Sequence, residues 1–314
     1  LPFLSDRGHY LTPDSLWIDK VLEKISIENI QIKAVMLVNP SYHGYSSDIK
    51  KLIQKFHKKD IPVIVDEAHG AHFLCGLDEL PQSGVTSGAD IVVHSLHKSA
   101  HGLAQTAVLW MQGNKVDPIA IERSIGLIQT TSPSSLLLAS CESTLRELRS
   151  LAGKNRLKST INNANEIFNK LLISEIPLLK TQDPLRLILH TAKNGFTGFD
   201  TDEWMINSGI YAELPDPATL TFCLGFAKHN RFVKSLIKAW QKLISKKSNM
   251  TSFPYFKSPP VKLIMSPEIS CYSAFMGINK LIPLKESIGH IAADLICPYP
   301  PGIPFIIPGQ FLEE

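Results

Sequence analysis

Several things are scarce in this 314-residue chain, and each scarcity removes a class of explanation. Its five cysteines, at positions 75, 141, 223, 271 and 297, are widely spaced, odd in number and without a C-x-x-C pair. That pattern argues against a disulfide framework and for reduced thiols in a cytoplasm-like compartment. No apolar run reaches the ~18 residues of a membrane span, and the start lacks a basic-then-apolar targeting pattern. Charge of one sign is also lacking, since 32 basic and 29 acidic residues leave a net of only +3. Lys50-Lys51, Lys58-Lys59 and Lys246-Lys247 are short pairs on helical patterns. Nucleic acid is therefore a poor candidate partner. Gly84 and Gly88 fit no nucleotide-binding fingerprint, and no internal repeat is present.

What is present is a core-forming chain, 44% hydrophobic and 19% charged, long enough for one large and one smaller domain. Residues 14–28 carry apolar positions at helical spacing after Pro13. Residues 47–59 form an amphipathic helix with Ile49, Leu52, Ile53 and Phe56 on one face. Short aliphatic runs at 34–38, 62–66, 90–95 and 107–111 read as buried strands. Alternating with helices, they imply a parallel sheet with right-handed crossovers. Helices are expected at 118–129, 136–151 and 155–172. A strand, helix, strand and helix follow at 185–190, 199–207, 220–222 and 232–246. Residues 247–270 read as irregular, and the prolines between 298 and 308 exclude a helix there.

Two strand ends hold the chemistry. The run Val63–Val65 ends in Asp66, followed by Glu67, Ala68, His69, Gly70, Ala71 and His72. The run Ile91–Val93 leads into Ser95, Leu96, His97 and Lys98. Groups just past the carboxyl ends of neighbouring strands converge on one crevice in an open α/β sheet. A lysine and a buried acid placed there suit an aldehyde cofactor with a pyridine ring, the lysine forming a Schiff base and the acid pairing with the ring nitrogen. Alternation puts Ser95 and His97 on one side and His94 and Leu96 on the other. The histidines at 43, 69, 72, 94, 97 and 101 invite a metal reading. The spacings Asp66/His69/His72 and His97/His101 are broken by Gly70 and Gly102, so neither set lines one helical face, and no metal is expected.

These segments together resemble the Orn/Lys/Arg decarboxylase family of fold-type-I pyridoxal-phosphate enzymes. Asn39-Pro40-Ser41-Tyr42-His43-Gly44 is similar to that family's Pro-Thr-Tyr-x-Gly turn, and Gln129-Thr130-Thr131-Ser132-Pro133-Ser134 to its Ser-Thr-Ser-Pro segment. Cys297-Pro298-Tyr299-Pro300-Pro301-Gly302-Ile303-Pro304 is similar to its Pro-Pro-Gly-Ile-Pro tail, while Gly289-His290 departs from the family's Gly-Arg. The resemblance implies an α/β fold-type-I, PLP-transferase-like parallel-sheet domain over 1–150, N-terminally incomplete, and a smaller α+β domain over 151–314. It implies the short, cyanobacterial-type members. It also implies about 130 further residues before Leu1, in line with domain sizes. Those would carry an Asn-Gly-Ser-Thr phosphate loop and a ring-stacking histidine. The chain has no Gly-Ser-Thr loop and starts at leucine, so it reads as an incomplete gene product, a truncated chain or a fragment.

The resemblance further implies pyridoxal 5'-phosphate as cofactor. Lys98 and Asp66 are then catalytic, Ala68 lies against the ring, and His69 bonds the phenolic oxygen. Ser95 and His97 face the phosphate, and Thr131 and Ser132 face the phosphate of the neighbouring subunit of a homodimer or higher homo-oligomer. The expected reaction is decarboxylation of arginine, lysine or ornithine to the amine, in polyamine biosynthesis, in the cytoplasm. Glu213 and Glu286 are candidates for reading the substrate. Two other readings stay open: another fold-type-I activity such as an aminotransferase, and a catalytically inert remnant.

Overall fold

The computed structural model describes residues 3–226, 230–246, 256–257, 266–297, 302 and 304–313. Two compact units result, Leu1–Pro259 and Pro260–Glu314. The first begins with a small hairpin, β1 (Phe3–Leu4) and β2 (His9–Tyr10). Helix α1 (Ser15–Ile27) starts where the Asp14 carboxylate accepts from the Trp17 amide at 2.7 Å. Pro13 thus precedes the cap and does not enter the first turn. After β3 (Val35–Val38), α2 (Ile49–His57) is capped in the same way by Asp48. It buries Ile49, Leu52, Ile53 and Phe56, the four residues its periodicity selects. Each such burial stabilises by about 1.5–3 kcal/mol.

β4 (Val63–Asp66) and β5 (Ile91–Ser95) follow, then the four-residue helix α3 (Leu96–Ser99) and β6 (Ala107–Met111). The sheet order is β3-β4-β5-β6, parallel except at its last pair, where β6 runs antiparallel to β5 with Ser95 opposite Ala107. The sheet is thus parallel, as expected, except for its last strand. A parallel return needs a crossover of roughly a dozen residues or more, and the link from Ser95 to Ala107 is too short for one. The crossover from β4 to β5 also lacks an α-helix; it holds a 3-10 turn, Ala71–Cys75.

Alternation gives this sheet two unlike faces. Val63, Val65 and Val92 are at most 1% exposed and pack under Ile18 and the α2 residues. Ile64, Asp66, Val93 and Ser95 point the other way and are only partly buried.

Helices α4 (Pro118–Ile128), α5 (Ser135–Arg149) and α6 (Leu151–Ile173) come next, with Ser150 ending α5 and capping α6 through Gly153 N. No residue of α4 is buried, and Leu127 and Ile128 are 87% and 88% exposed. A second four-stranded sheet, ordered β7-β8-β10-β9, is built from β7 (Leu178–Leu179), β8 (Arg186–Leu189), β9 (Leu214–Pro215) and β10 (Leu220–Cys223), all antiparallel. Helices α7 (Gly198–Ile206) and α8 (Asn230–Ser245) share its core with α6. The proposed boundary near residue 150 thus has one sheet on each side, although a continuous core runs from Phe73 through Leu157 to Trp240. The second unit holds α9 (Cys271–Met276), a 3-10 turn at Leu284–Glu286, and bridges Ile291–Phe311 and Ile296–Ile306. Most of the Pro-Pro-Gly-Ile-Pro segment (298–301 and 303) lies outside the described residues. No described helix is long and apolar enough to cross a membrane.

Candidate active site

β4 and β5 are adjacent and parallel with Asp66 level with Val93, so Asp66 and Ser95 emerge from the carboxyl ends of neighbouring strands on the same, half-open face. Asp66 Oδ1 accepts from the Ala68 amide at 3.0 Å, which folds the chain over after the strand. Both readings of this carboxylate, turn cap and open-face acid, therefore apply at once. Gly70 is required here, because a Cβ would lie 2.7 Å from Glu67 Cγ and 2.8 Å from Pro40 Cδ.

Lys98 is exposed on α3, and its Nζ lies 3.4 Å from His69 Nε2. The other ring nitrogen of His69, Nδ1, receives Arg186 Nη2 at 3.0 Å. Burial and then the adjacent Arg186 and Lys98 charges push the His69 pKa down to about 3. Tyr42 packs its ring 4.6 Å from that of His69 and donates its hydroxyl to Glu213 Oε1 at 2.5 Å. Contacts thus run from Lys98 through His69 and Tyr42 to Glu213. The three sequence-selected residues Asp66, His69 and Lys98 share this end of the sheet with Ser95.

His97 is exposed and donates Nδ1–H to the Thr106 carbonyl at 3.0 Å; it lies on α3, so the strand alternation expected to pair it with Ser95 stops at Ser95. Thr131 and Ser132 lie in the exposed turn between α4 and α5, where Ser132 N reaches Thr130 Oγ1 at 3.2 Å. No described contact joins them to Lys98. Glu286 lies in the second unit.

Three features escaped the sequence. Glu67 is fully buried on the covered face, where Ser83 Oγ, Gly84 N and His94 Nε2 donate to it at 2.5, 2.9 and 2.6 Å. His94 in turn accepts from Trp110 Nε1 at 2.8 Å. Indole is only a donor, so His94 is the neutral tautomer with its proton on Nε2. The second feature is Arg186 on β8, 8% exposed, whose guanidinium also meets Cys223 Sγ and Asp183 Oδ2.

The third is the buried group His9, His43 and Asp216, the one cluster among the described residues whose ligand atoms could hold a metal. His43 Nε2 lies 2.5 Å from Asp216 Oδ2, and the two histidine rings stack at 4.1 Å and 26°. Stacked rings aim their lone pairs alongside one another, which suits the His43–Asp216 hydrogen bond better than a shared ion. The residues first considered for a metal diverge instead. His72 pairs with Asp183 at 3.2 Å, and His101 lies beyond the end of α3 against Phe226.

Comparison with known proteins places this geometry. Residues 14–182 match the Orn/Lys/Arg decarboxylase major domain, and residues 249–314 match the Orn/Lys/Arg decarboxylase C-terminal domain. Arginine decarboxylase of Bacillus subtilis is 32% identical over 91% of this chain and 61% of its own length. That of Bacillus anthracis is 30% identical over 98% and 63%. The chain thus spans about six-tenths of the length of these relatives. The solved Escherichia coli constitutive lysine decarboxylase superposes with a TM-score of 0.72 at 17% identity, covering 94% of this chain and 54% of that one. The Francisella novicida lysine decarboxylase gives 0.69 at 18%. A partly buried acid at the end of β4 and an exposed lysine on the short helix after β5, on a chain matched over most of its length by these domains, make it a member of the Orn/Lys/Arg decarboxylase family.

Proposed function

We propose that this chain takes part in the pyridoxal-phosphate-dependent decarboxylation of a basic amino acid: arginine, lysine or ornithine. The names of its relatives weight arginine first. The observation that carries the reading is the open face at the ends of β4 and β5, which presents the Asp66 carboxylate and the Ser95 hydroxyl, with the Lys98 amine and the His69 imidazole in contact just beyond the strand ends. That donor set fits the cofactor. When bound, pyridoxal phosphate supplies an aldehyde that captures amines and a ring that accepts the electrons released with carbon dioxide.

In this assignment Lys98 is the amine that holds the aldehyde and yields it to the substrate. Asp66 keeps the ring nitrogen protonated from the strand end. Ala68 leaves room for the ring, and His69 offers a hydrogen bond beside Lys98. Ser95 and His97 face the phosphate. Glu213, reached from Lys98 through His69 and Tyr42, is placed to attract the distal cation of a basic side chain. The uncovered apolar surface of α4, next to Thr131 and Ser132, supports pairing with a second copy whose phosphate those hydroxyls approach.

The test is reductive trapping. Borohydride added to the purified protein with pyridoxal phosphate should fix the cofactor on the peptide carrying Lys98, located by mass spectrometry. Attachment at another lysine, or none, overturns the assignment.

A further inference from the structure

Arg186 is on a strand of the second sheet and His69 in the turn that follows β4 of the first, 117 residues apart in the chain, yet Arg186 Nη2 sits 3.0 Å from His69 Nδ1. A guanidinium has N–H donors and no acceptor, so Nδ1 must be the acceptor in this bond. A neutral imidazole carries one proton, which is thereby left on Nε2. That atom faces Lys98 Nζ at 3.4 Å. We propose that Arg186, the nearer of the two donor-only groups on the ring at 3.0 Å against 3.4 Å for Lys98, is a positioning residue that locks His69 in its Nε2–H tautomer, so that the ring turns a proton and no lone pair toward Lys98 and the Lys98 ammonium finds no acceptor there. The claim rests on the reading of Lys98 given above and extends it to a residue outside the motif.

A buried carboxylate and close packing surround the arginine. Asp183, 1% exposed, lies 3.8 Å from Arg186 Nε and takes hydrogen bonds from the Leu185 amide at 3.0 Å and His72 Nε2 at 3.2 Å. The Gly44 carbonyl accepts from the Asp183 amide at 3.1 Å. At Gly44 a Cβ would stand 2.5 Å from Arg186 Cγ, and φ is +87°, so both space and backbone demand glycine there. The groups that face His69 are Arg186, Lys98, Asp183, His72 and the Tyr42 ring, and the two cations among them oppose protonation of the imidazole.

Nitrogen-15 spectra of the histidine-labelled protein, without cofactor, decide the matter, with His69→Gln identifying the signal. Wild type should show an unprotonated Nδ1 and a protonated Nε2 from about pH 8 down to about pH 5. Arg186→Gln keeps an N–H donor and drops the charge, so it should preserve the tautomer while raising the pH at which the ring protonates. Arg186→Met should lose the single tautomer. His94, locked independently by Trp110, reports that the first sheet is still folded. A protonated Nδ1 in wild type overturns the proposal, as does an unchanged tautomer in a folded Arg186→Met. Failed borohydride trapping with the tautomer intact would instead remove the proposed function and leave the Arg186 assignment standing.

Discussion

Asp66 and Glu67 are consecutive acids on opposite faces of one sheet, and their surroundings could hardly differ more. Asp66 is partly exposed and has one oxygen tied to a backbone amide. Glu67 is wholly buried and accepts three hydrogen bonds, one of them from a histidine that is itself held by a tryptophan. The first carboxylate is left open to a ligand. The second has its acceptor capacity spent on the protein, tying β4 to β5 and to the turn at Ser83. Period-two alternation is enough to separate the two roles.

Removing each acid should break the comparison in opposite ways. Asp66→Ala should lower turnover on the order of 10³-fold, the scale of losing one electrostatic partner at a reacting centre. Its unfolding midpoint should stay close to wild type. Steady-state carbon dioxide release and a denaturant titration check both halves, and turnover within a few-fold of wild type removes Asp66 from the chemistry. Glu67→Ala leaves three buried donors without an acceptor and should cost about 3–5 kcal/mol of stability. A denaturation curve that matched wild type would show that the network is incidental.

Acid sharpens the contrast at the junction of the two sheets. Burial first, then neighbouring His43, Arg7 and His190, push the His9 pKa down to about 2, and His69 is pushed to about 3. Unfolded histidine protonates near 6.5. Between that pH and the folded values the unfolded chain binds more protons, so stability falls as pH is lowered from about 6.5 towards about 3. Each histidine contributes up to about 1 kcal/mol per pH unit, discounted for partial exposure. Asp183, whose own burial would raise its pKa but is outweighed by His72 and Arg186, sits below the usual carboxylate value. Its contribution is present at neutral pH and is lost on further acidification below about 3.8. Unfolding followed at stepped pH should show this slope, and His69→Gln should flatten part of it; a level profile contradicts the assignment.

The smallest effect compares the faces where no chemistry is involved. Met36 lies level with Ile64 on the open face and is 62% exposed, whereas Val65 on the covered face is fully buried. Val65→Ala should cost about 2 kcal/mol, and Met36→Ala should stay within about 0.5 kcal/mol. Equal losses would mean that the open face is packed after all.

Much of this was legible because local pattern dictated it. The four apolar positions of α2 fell at helical spacing, and the aliphatic runs ending in Asp66 and Ser95 read as strands, although only one of their two faces is buried throughout. What stayed hidden depends on distant partners. Nothing near Arg186 marks it, since its meaning comes from a histidine 117 residues away. Glu67 stood inside the motif, but attention to the open face passed over it; an acid one residue beyond an aliphatic strand, opposite His94 and Trp110, was the available signal. The reversal of β6 was also readable in principle, from the brevity of the segment between Ser95 and Ala107.

That brief segment has a consequence for Lys98. Leu96 N bonds the Thr106 carbonyl at 3.0 Å, and Ala100 and Gly102 both return to the Leu96 carbonyl, at 3.0 and 3.2 Å. His97 adds its own bond to Thr106. The lysine therefore stands on a closed loop with both feet in one sheet, like a post set in a stirrup, and its reach comes from the flexible side chain alone. The loop is closed at both ends by hydrogen bonds, so any movement of the amine falls to the side chain and not to its base.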